Sequence, residues 1–192
     1  VGAQPSAGAT DRRQAILGAA VDLFRRRGFH PVGIDEIGTA AGISGPGVYR
    51  HFPSKAAVLA ALFDPVSEHL LIAAEEVQKG ESPPAEMLDR LLALHVTKAV
   101  AERARLAVWI QDRRSLPEAD ADRFGRRQAE YVAIWVQTLV RLRPELAPAE
   151  AEMLVHAALG AVNSVAFHDA GLAPEALEAL LTRVAVSVLR TG

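Results

Sequence analysis

The chain has 192 residues, half of them hydrophobic, with a net charge of −2 and no cysteine. That length and apolar content are enough for one or two domains with cores of their own, and the missing thiols exclude disulfides, cysteine nucleophiles and zinc–thiolate centres. No uninterrupted apolar run approaches the roughly 20 residues of a membrane-crossing helix, and Val1 to Thr10 lacks the charged-then-apolar layout of a secretory leader. The expected setting is therefore the cytoplasm, without a membrane partner.

Residues 1–10 are small and polar and are expected to form a disordered arm. Strand-like alternation is nearly absent beyond it, so the fold class is all-α, with about nine helices. The first is expected from Asp11 to Arg27, capped by Thr10 or Asp11 and stopped by Gly28, with Ile16, Ala20 and Phe24 on one face. Two short helices, Ile34 to Ala41 and Gly45 to His51, precede a long one that starts after Ser54, is kinked at Pro65 and ends near Lys79. Further helices are expected at Ala85 to Ala101, Arg103 to Arg114, Leu116 to Leu142, Pro148 to Ala170 and Pro174 to Leu189. The domain division that follows is an arm over 1–10, a helix-turn-helix unit over 11–55 and a larger helical unit over 56–192. Residues 1–55 hold seven Lys/Arg against four Asp/Glu, and the remainder fourteen against nineteen. A basic end on an acidic body suits contact with a polyanion.

The stretch from Ile34 to Lys55, IDEIGTAAGISGPGVYRHFPSK, is the most informative. Ile34, Ile37 and Ala41 make the inner stripe of one short helix, Gly42 suits the tight turn, Ile43 plugs that turn, and Ser44 can cap the next helix. With Val48 and Phe52 inward, Gly45, Pro46, Tyr49, Arg50 and His51 are expected to face outward. Small residues followed by a phenol and a guanidinium suit a helix that enters the major groove and hydrogen-bonds base edges and phosphates. Lys55, at the start of the following helix, is placed to grip a phosphate together with the free backbone N–H groups there. Geometry alone equally allows a helix hairpin inside a larger bundle.

This segment resembles the DNA-binding domain of the TetR/AcrR family. Ile34, Ile37, Ala41 to Ser44, Val48, Tyr49, His51, Phe52, Ser54 and Lys55 match that family's pattern, as does Arg27-Gly28-Phe29 before it. It departs from the pattern at Gly33, Gly38, Pro46 and Ala57, where a capping Thr or Ser, an Ala, a small or basic residue and a capping-box Glu are usual. The resemblance implies that Tyr49, His51 and Lys55 contact phosphates and that Ser44, Gly45 and Arg50 lie at or near base edges; Arg12 and Arg13 either reach the backbone or minor groove of the duplex or are ordinary solvated arginines. Two half-sites on a palindromic double-stranded operator then require a homodimer. By the same resemblance the last two helices supply the interface, through Val155, Leu159, Val162, Leu177, Leu181 and Val184; the alternative is that these helices only close their own domain.

The middle helices carry both tryptophans among apolar residues and a few polar ones. Leu92, His95, Trp109, Arg113, Gln128, Tyr131, Trp135 and Asn163 are the candidate lining of a small-molecule pocket. The stretch between the tryptophans is loosely similar to actinobacterial family members that answer to acyl-CoA or lipid-derived ligands, for which Arg113, Arg114, Arg126 and Arg127 would form a rim. The same arginines also have acidic neighbours to pair with on a solvated helix. The implied function is a ligand-responsive transcriptional repressor that switches through the helix carrying Pro65. It is no enzyme and needs no cofactor or metal, for the chain has no phosphate loop, no nucleophile elbow and no histidines at ligand spacing. The alternative is a helical protein-interaction module without a DNA role.

Overall fold

A computed structural model describes residues 7–168 and 171–190. The described residues form nine α-helices and no strand: α1 (Ala7–Arg27), α2 (Ile34–Ala40), α3 (Gly45–Tyr49), α4 (Lys55–Lys79), α5 (Pro84–Ala101), α6 (Arg103–Asp112), α7 (Glu118–Leu142), α8 (Pro148–Asn163) and α9 (Pro174–Leu189). Helix α1 begins before the expected cap at Thr10 or Asp11, because alanine-rich sequence propagates a helix and nothing at that point blocks it. The expected arm therefore lies outside the described residues over 1–6 and is helical over 7–10. Gly28 ends α1 at φ 77°, a conformation that costs a residue without a Cβ little. Proline in the first turn opens α5, α8 and α9. Helix α8 stops at Asn163 rather than Ala170, giving way to a 3₁₀ turn over Ser164–Ala166. There the Ser164 hydroxyl donates to the Ala161 carbonyl at 2.7 Å, a local bond that competes with helix continuation.

Two apolar cores share α4 as their seam. The first gathers Ile16, Phe24, Ile37, Val48 and Phe52 with Val58, Leu59, Leu62 and Phe63 of α4, and takes in Val108, Leu116 and Phe124 from beyond it. It does not stop at residue 55. The second joins α5, α7, α8 and α9 to Ala74 and Val77 at the far end of α4. Helix α4 is long and apolar enough, by length and composition, to cross a membrane. Its buried residues are divided between the two cores, Val58 to Phe63 in the first and Ala74 and Val77 in the second, while Ile72 is exposed and Asp64 is ion-paired to arginines of α7. Pro65 lies inside α4 without ending it.

The expected subunit interface needs correction. Val155, Leu159, Val162, Leu177 and Leu181 are all buried within the second core, and Val184 alone of the six is exposed. The apolar stripe of each helix closes the chain's own bundle, because α8 and α9 pack on each other and on α5. Helical periodicity identifies a buried face but not the partner that buries it.

Candidate functional site

Helix α3 is short and held from three sides. The Ser44 Oγ accepts from the Gly47 N–H at 3.3 Å, capping it, while Val48 and Phe52 are sunk in the first core. At Gly38 of α2 a Cβ would lie 3.0 Å from the Ile43 carbonyl oxygen, so the two backbones nearly touch there. This glycine, a departure from the family's usual Ala, is a point of close approach between α2 and the turn. Gly33 offers no side-chain cap to α2, but Glu36 accepts from the Gly33 N–H at 3.1 Å and pairs with Arg27. Those two partners, the backbone donor first, hold the Glu36 carboxyl below its ordinary pKa.

From this seat Ser44, Pro46, Tyr49 and Arg50 are exposed, Tyr49 by 56%, and His51 is half-buried. Gly45 does not belong with them. It is buried, and a Cβ there would fall 1.8 Å from Asp35 Oδ1, so the outward position is taken by the carboxylate of α2. Arg13 is also engaged within the chain: its guanidinium lies 4.2 Å from the Phe52 ring centroid and donates to the His51 carbonyl at 3.2 Å. Arg12 is exposed.

Lys55 departs most from expectation. Its ammonium donates to the carbonyls of Phe29 (2.8 Å), His30 (3.1 Å) and Val32 (2.7 Å), and sits 4.3 Å from the Phe29 ring centroid. All three donors are used inside the chain, so the ammonium ties α4 to the α1–α2 turn and is not free for a phosphate. Burial pushes its pKa below the ordinary lysine range, and the Asp112 carboxylate pushes it back.

Asp112, unnoticed in the sequence, completes this junction. It is buried at the end of α6, where its Oδ1 accepts from the Phe29 N–H at 3.2 Å and its Oδ2 has no hydrogen-bond partner among the described residues. Nearby, Ser115 Oγ and His30 Nε2 lie 3.2 Å apart. The one cue in the sequence is an acid in the last turn of a helix, where the dipole disfavours it.

On the other side of α4 lies a cavity of about 330 Å³. Its apolar wall includes Leu62, Phe63, Leu106, Trp109 and Phe124, and its polar groups come from α4, α5, α6, α7 and α8, with Glu102 between α5 and α6. Five of the expected lining residues are there: His95, Trp109, Gln128, Tyr131 and Asn163. Leu92 and Trp135 are not, being buried in the second core behind the wall, and Arg113 is exposed in the 3₁₀ turn after α6. Of the four rim arginines only Arg127 reaches the cavity, because α7 turns Arg126 to solvent and α6 ends before Arg113 and Arg114. His95 joins two polar neighbours. Its Nε2 lies 3.2 Å from Asn163 Oδ1, an acceptor, so that nitrogen carries the proton and Nδ1 accepts from the Tyr131 hydroxyl at 3.1 Å. Burial pulls the His95 pKa to about 4 and pushes the Tyr131 phenol upward.

A helix-turn-helix with a rigidly seated, polar-faced second helix, joined through one long helix to a bundle containing a cavity, defines a class: a two-part helical regulator. The family comparisons agree. Residues 16–62 match the model of bacterial regulatory proteins of the tetR family, and residues 81–189 match the tetracyclin repressor-like C-terminal domain. The chain belongs to the tetR family of bacterial regulatory proteins. Among curated proteins it is 45% identical to the HTH-type transcriptional regulator EthR of Mycolicibacterium smegmatis over 56 residues, 29% of this chain and 26% of EthR. The match thus spans about a quarter of that relative's length. Among solved structures, the ketosteroid transcriptional regulator KstR2 of Mycobacterium tuberculosis superposes with a TM-score of 0.81 at 20% identity, over 97% of this chain and 95% of KstR2. AibR, solved with isovaleryl coenzyme A and operator DNA, superposes at 0.75 and 18% identity, over 90% of this chain and 97% of AibR. At those identities the likeness is one of fold.

Proposed function

We propose that the protein is a homodimeric transcriptional repressor of the cytoplasm that grips a palindromic operator through two copies of α3 and is controlled by a small, largely apolar ligand in the cavity beside α4. The observation that carries this reading is the exposed Pro46–Tyr49–Arg50 face on a helix whose opposite side, Val48 and Phe52, is locked in the core. Such a face offers hydrogen-bonding reach without local unfolding. The Tyr49 hydroxyl and His51 serve phosphates, Arg50 reaches base edges, and Ser44 lies beside them. Lys55 contributes through the backbone N–H groups at the start of α4 rather than through its ammonium.

Dimerisation is supported by a small-residue and apolar face left uncovered on α8 and α9. Met153, Ala157 and Gly160 follow one another at helical spacing on α8, and Leu180 and Val184 do so on α9. The cavity's size and mixture of apolar wall with few polar groups fit a small effector. That AibR binds an acyl coenzyme A makes an acyl or lipid-derived ligand the leading class. Ligand occupancy acts on α4, which lines the cavity at Leu62 and Phe63 and carries the first core, with Pro65 as the pivot. Footprinting on the DNA upstream of the protein's own gene tests the reading. A salt-sensitive, two-fold symmetric protected site is expected; affinity for no duplex at low salt points instead to a helical interaction module.

A further inference from the structure

The cavity wall carries three cations, Lys98, Arg105 and Arg127, against the single acid Glu102. Glu102 is committed to Arg105. Lys98 has no ion-pair partner among the described residues. Arg127 has two, Asp64 and Glu68, neither of which lines the cavity: its guanidinium donates to Asp64 Oδ1 at 2.8 Å, lies 4.0 Å from Glu68 Oε1, and also donates to Ser67 Oγ at 3.2 Å. That same Asp64 oxygen also accepts from Arg123. Two guanidiniums therefore share one carboxylate oxygen, and Arg127 is denied the two-pronged pairing that makes arginine–carboxylate contacts strong. Its side chain is 21% exposed, and it faces a cavity that a ligand can enter.

We propose that the effector is a small apolar acid whose carboxylate is attracted by Lys98 and takes Arg127 from Asp64. The inference rests on the regulator reading only for its consequence, not for the binding itself. A bidentate carboxylate at Arg127 outcompetes a shared, single-oxygen partner. The apolar body then lies against the aromatic wall. The anion does not belong at the His95 end, where a neutral imidazole between Asn163 and Tyr131 offers hydrogen bonds but no charge. The exchange has a mechanical consequence. Asp64 sits immediately before Pro65, where α4 already lacks the hydrogen bond a residue with an N–H would return to the Ala61 carbonyl. With Arg127 taken, Asp64 keeps only Arg123, so one of its two ties from α4 to α7 is lost at the weakest turn of α4, between the cavity and the helix-turn-helix core.

The test uses the full chain, with Trp109 fluorescence as the readout and two uncharged–charged pairs as probes: octanoate with octanamide, and 4-phenylbutyrate with its amide. Each acid is expected to bind about ten-fold tighter than its amide, the worth of one charge-assisted contact. Arg127→Met and Lys98→Met should each reduce that preference, and Asp64→Asn, with native helicity confirmed by circular dichroism, should tighten octanoate several-fold by removing the competitor. Equal binding of acid and amide, no saturable response to either acid at millimolar concentration, or a folded Asp64→Asn that binds octanoate no tighter than the parent each overturns the proposal. If Asp64→Asn fails to fold, the Lys98→Met comparison decides alone. Operator binding without any acid, read by gel shift, tests the regulator reading separately.

Discussion

Lys55→Met separates two roles that one lysine at the head of α4 could play. Methionine keeps the aliphatic stem and removes the ammonium, leaving the carbonyls of Phe29, His30 and Val32 without their donor. Hydrogen bonds from a charged donor contribute about 1.5–3 kcal/mol each. The His30 carbonyl is at the exposed edge and can recruit water, while the bonds to Phe29 and Val32 are partly buried. The net loss should be about 3 kcal/mol. For a chain of this size that lowers the melting temperature by roughly 6–12 °C. Calorimetry and urea unfolding measure the loss, and salt titration of DNA affinity supplies the second readout. An internal tie leaves the slope of log affinity against log salt unchanged, whereas loss of a phosphate contact reduces it by about one. A variant with parental stability and a reduced slope would refute the internal role and restore the phosphate role.

Tyr49→Ala, at an exposed position, should weaken operator affinity by about 1–2 kcal/mol while the melting transition stays put; a gel shift alongside a thermal scan checks both. Asp112→Ala leaves the buried Phe29 N–H without its acceptor and should cost about 2 kcal/mol in urea unfolding, with unchanged stability counting against the α6 tie. His95 binds its proton more weakly when folded, its pKa falling from 6.5 to about 4. Below pH 6.5 the unfolded chain takes up a proton that the folded chain refuses, so stability falls as pH drops from 6.5 toward 4, by about 2 kcal/mol at pH 5. That loss should be absent in His95→Gln when both are unfolded at pH 7 and pH 5. Val184→Glu, on the uncovered face of α9, should halve the sedimenting mass without changing the protomer's helicity; an unaltered mass would place the dimer contact elsewhere.

The recognition segment was readable because its structure is dictated locally. Ser44 caps the residues that follow it, Gly42 adopts φ 71° in the turn, and Val48 and Phe52 fall one helical turn apart, so the exposed run of Pro46, Tyr49 and Arg50 follows from spacing. Gly45 breaks the inference because its neighbour is Asp35, ten residues back on another helix. Five of the eight expected lining residues reach the cavity, and four of them, His95, Gln128, Tyr131 and Asn163, do so for a similar reason: a polar residue on an apolar face of α5, α7 or α8 tends to face something polar or open. Leu92 and Trp135 share that apolar character but point into solid core, a difference that periodicity does not encode.

Helix content, helix order, the helix-turn-helix and its polar face were determined by the sequence alone, since propensity, capping and period act over fewer than ten residues. Tertiary structure alone decided which cations are free. Lys55 and Arg13 are held by carbonyls, Arg127 shares an acid with Arg123, and Lys98 remains without an ion pair among the described residues. A charge's availability depends on what the fold brings within about 4 Å of it, and those partners are up to 63 residues away along the chain.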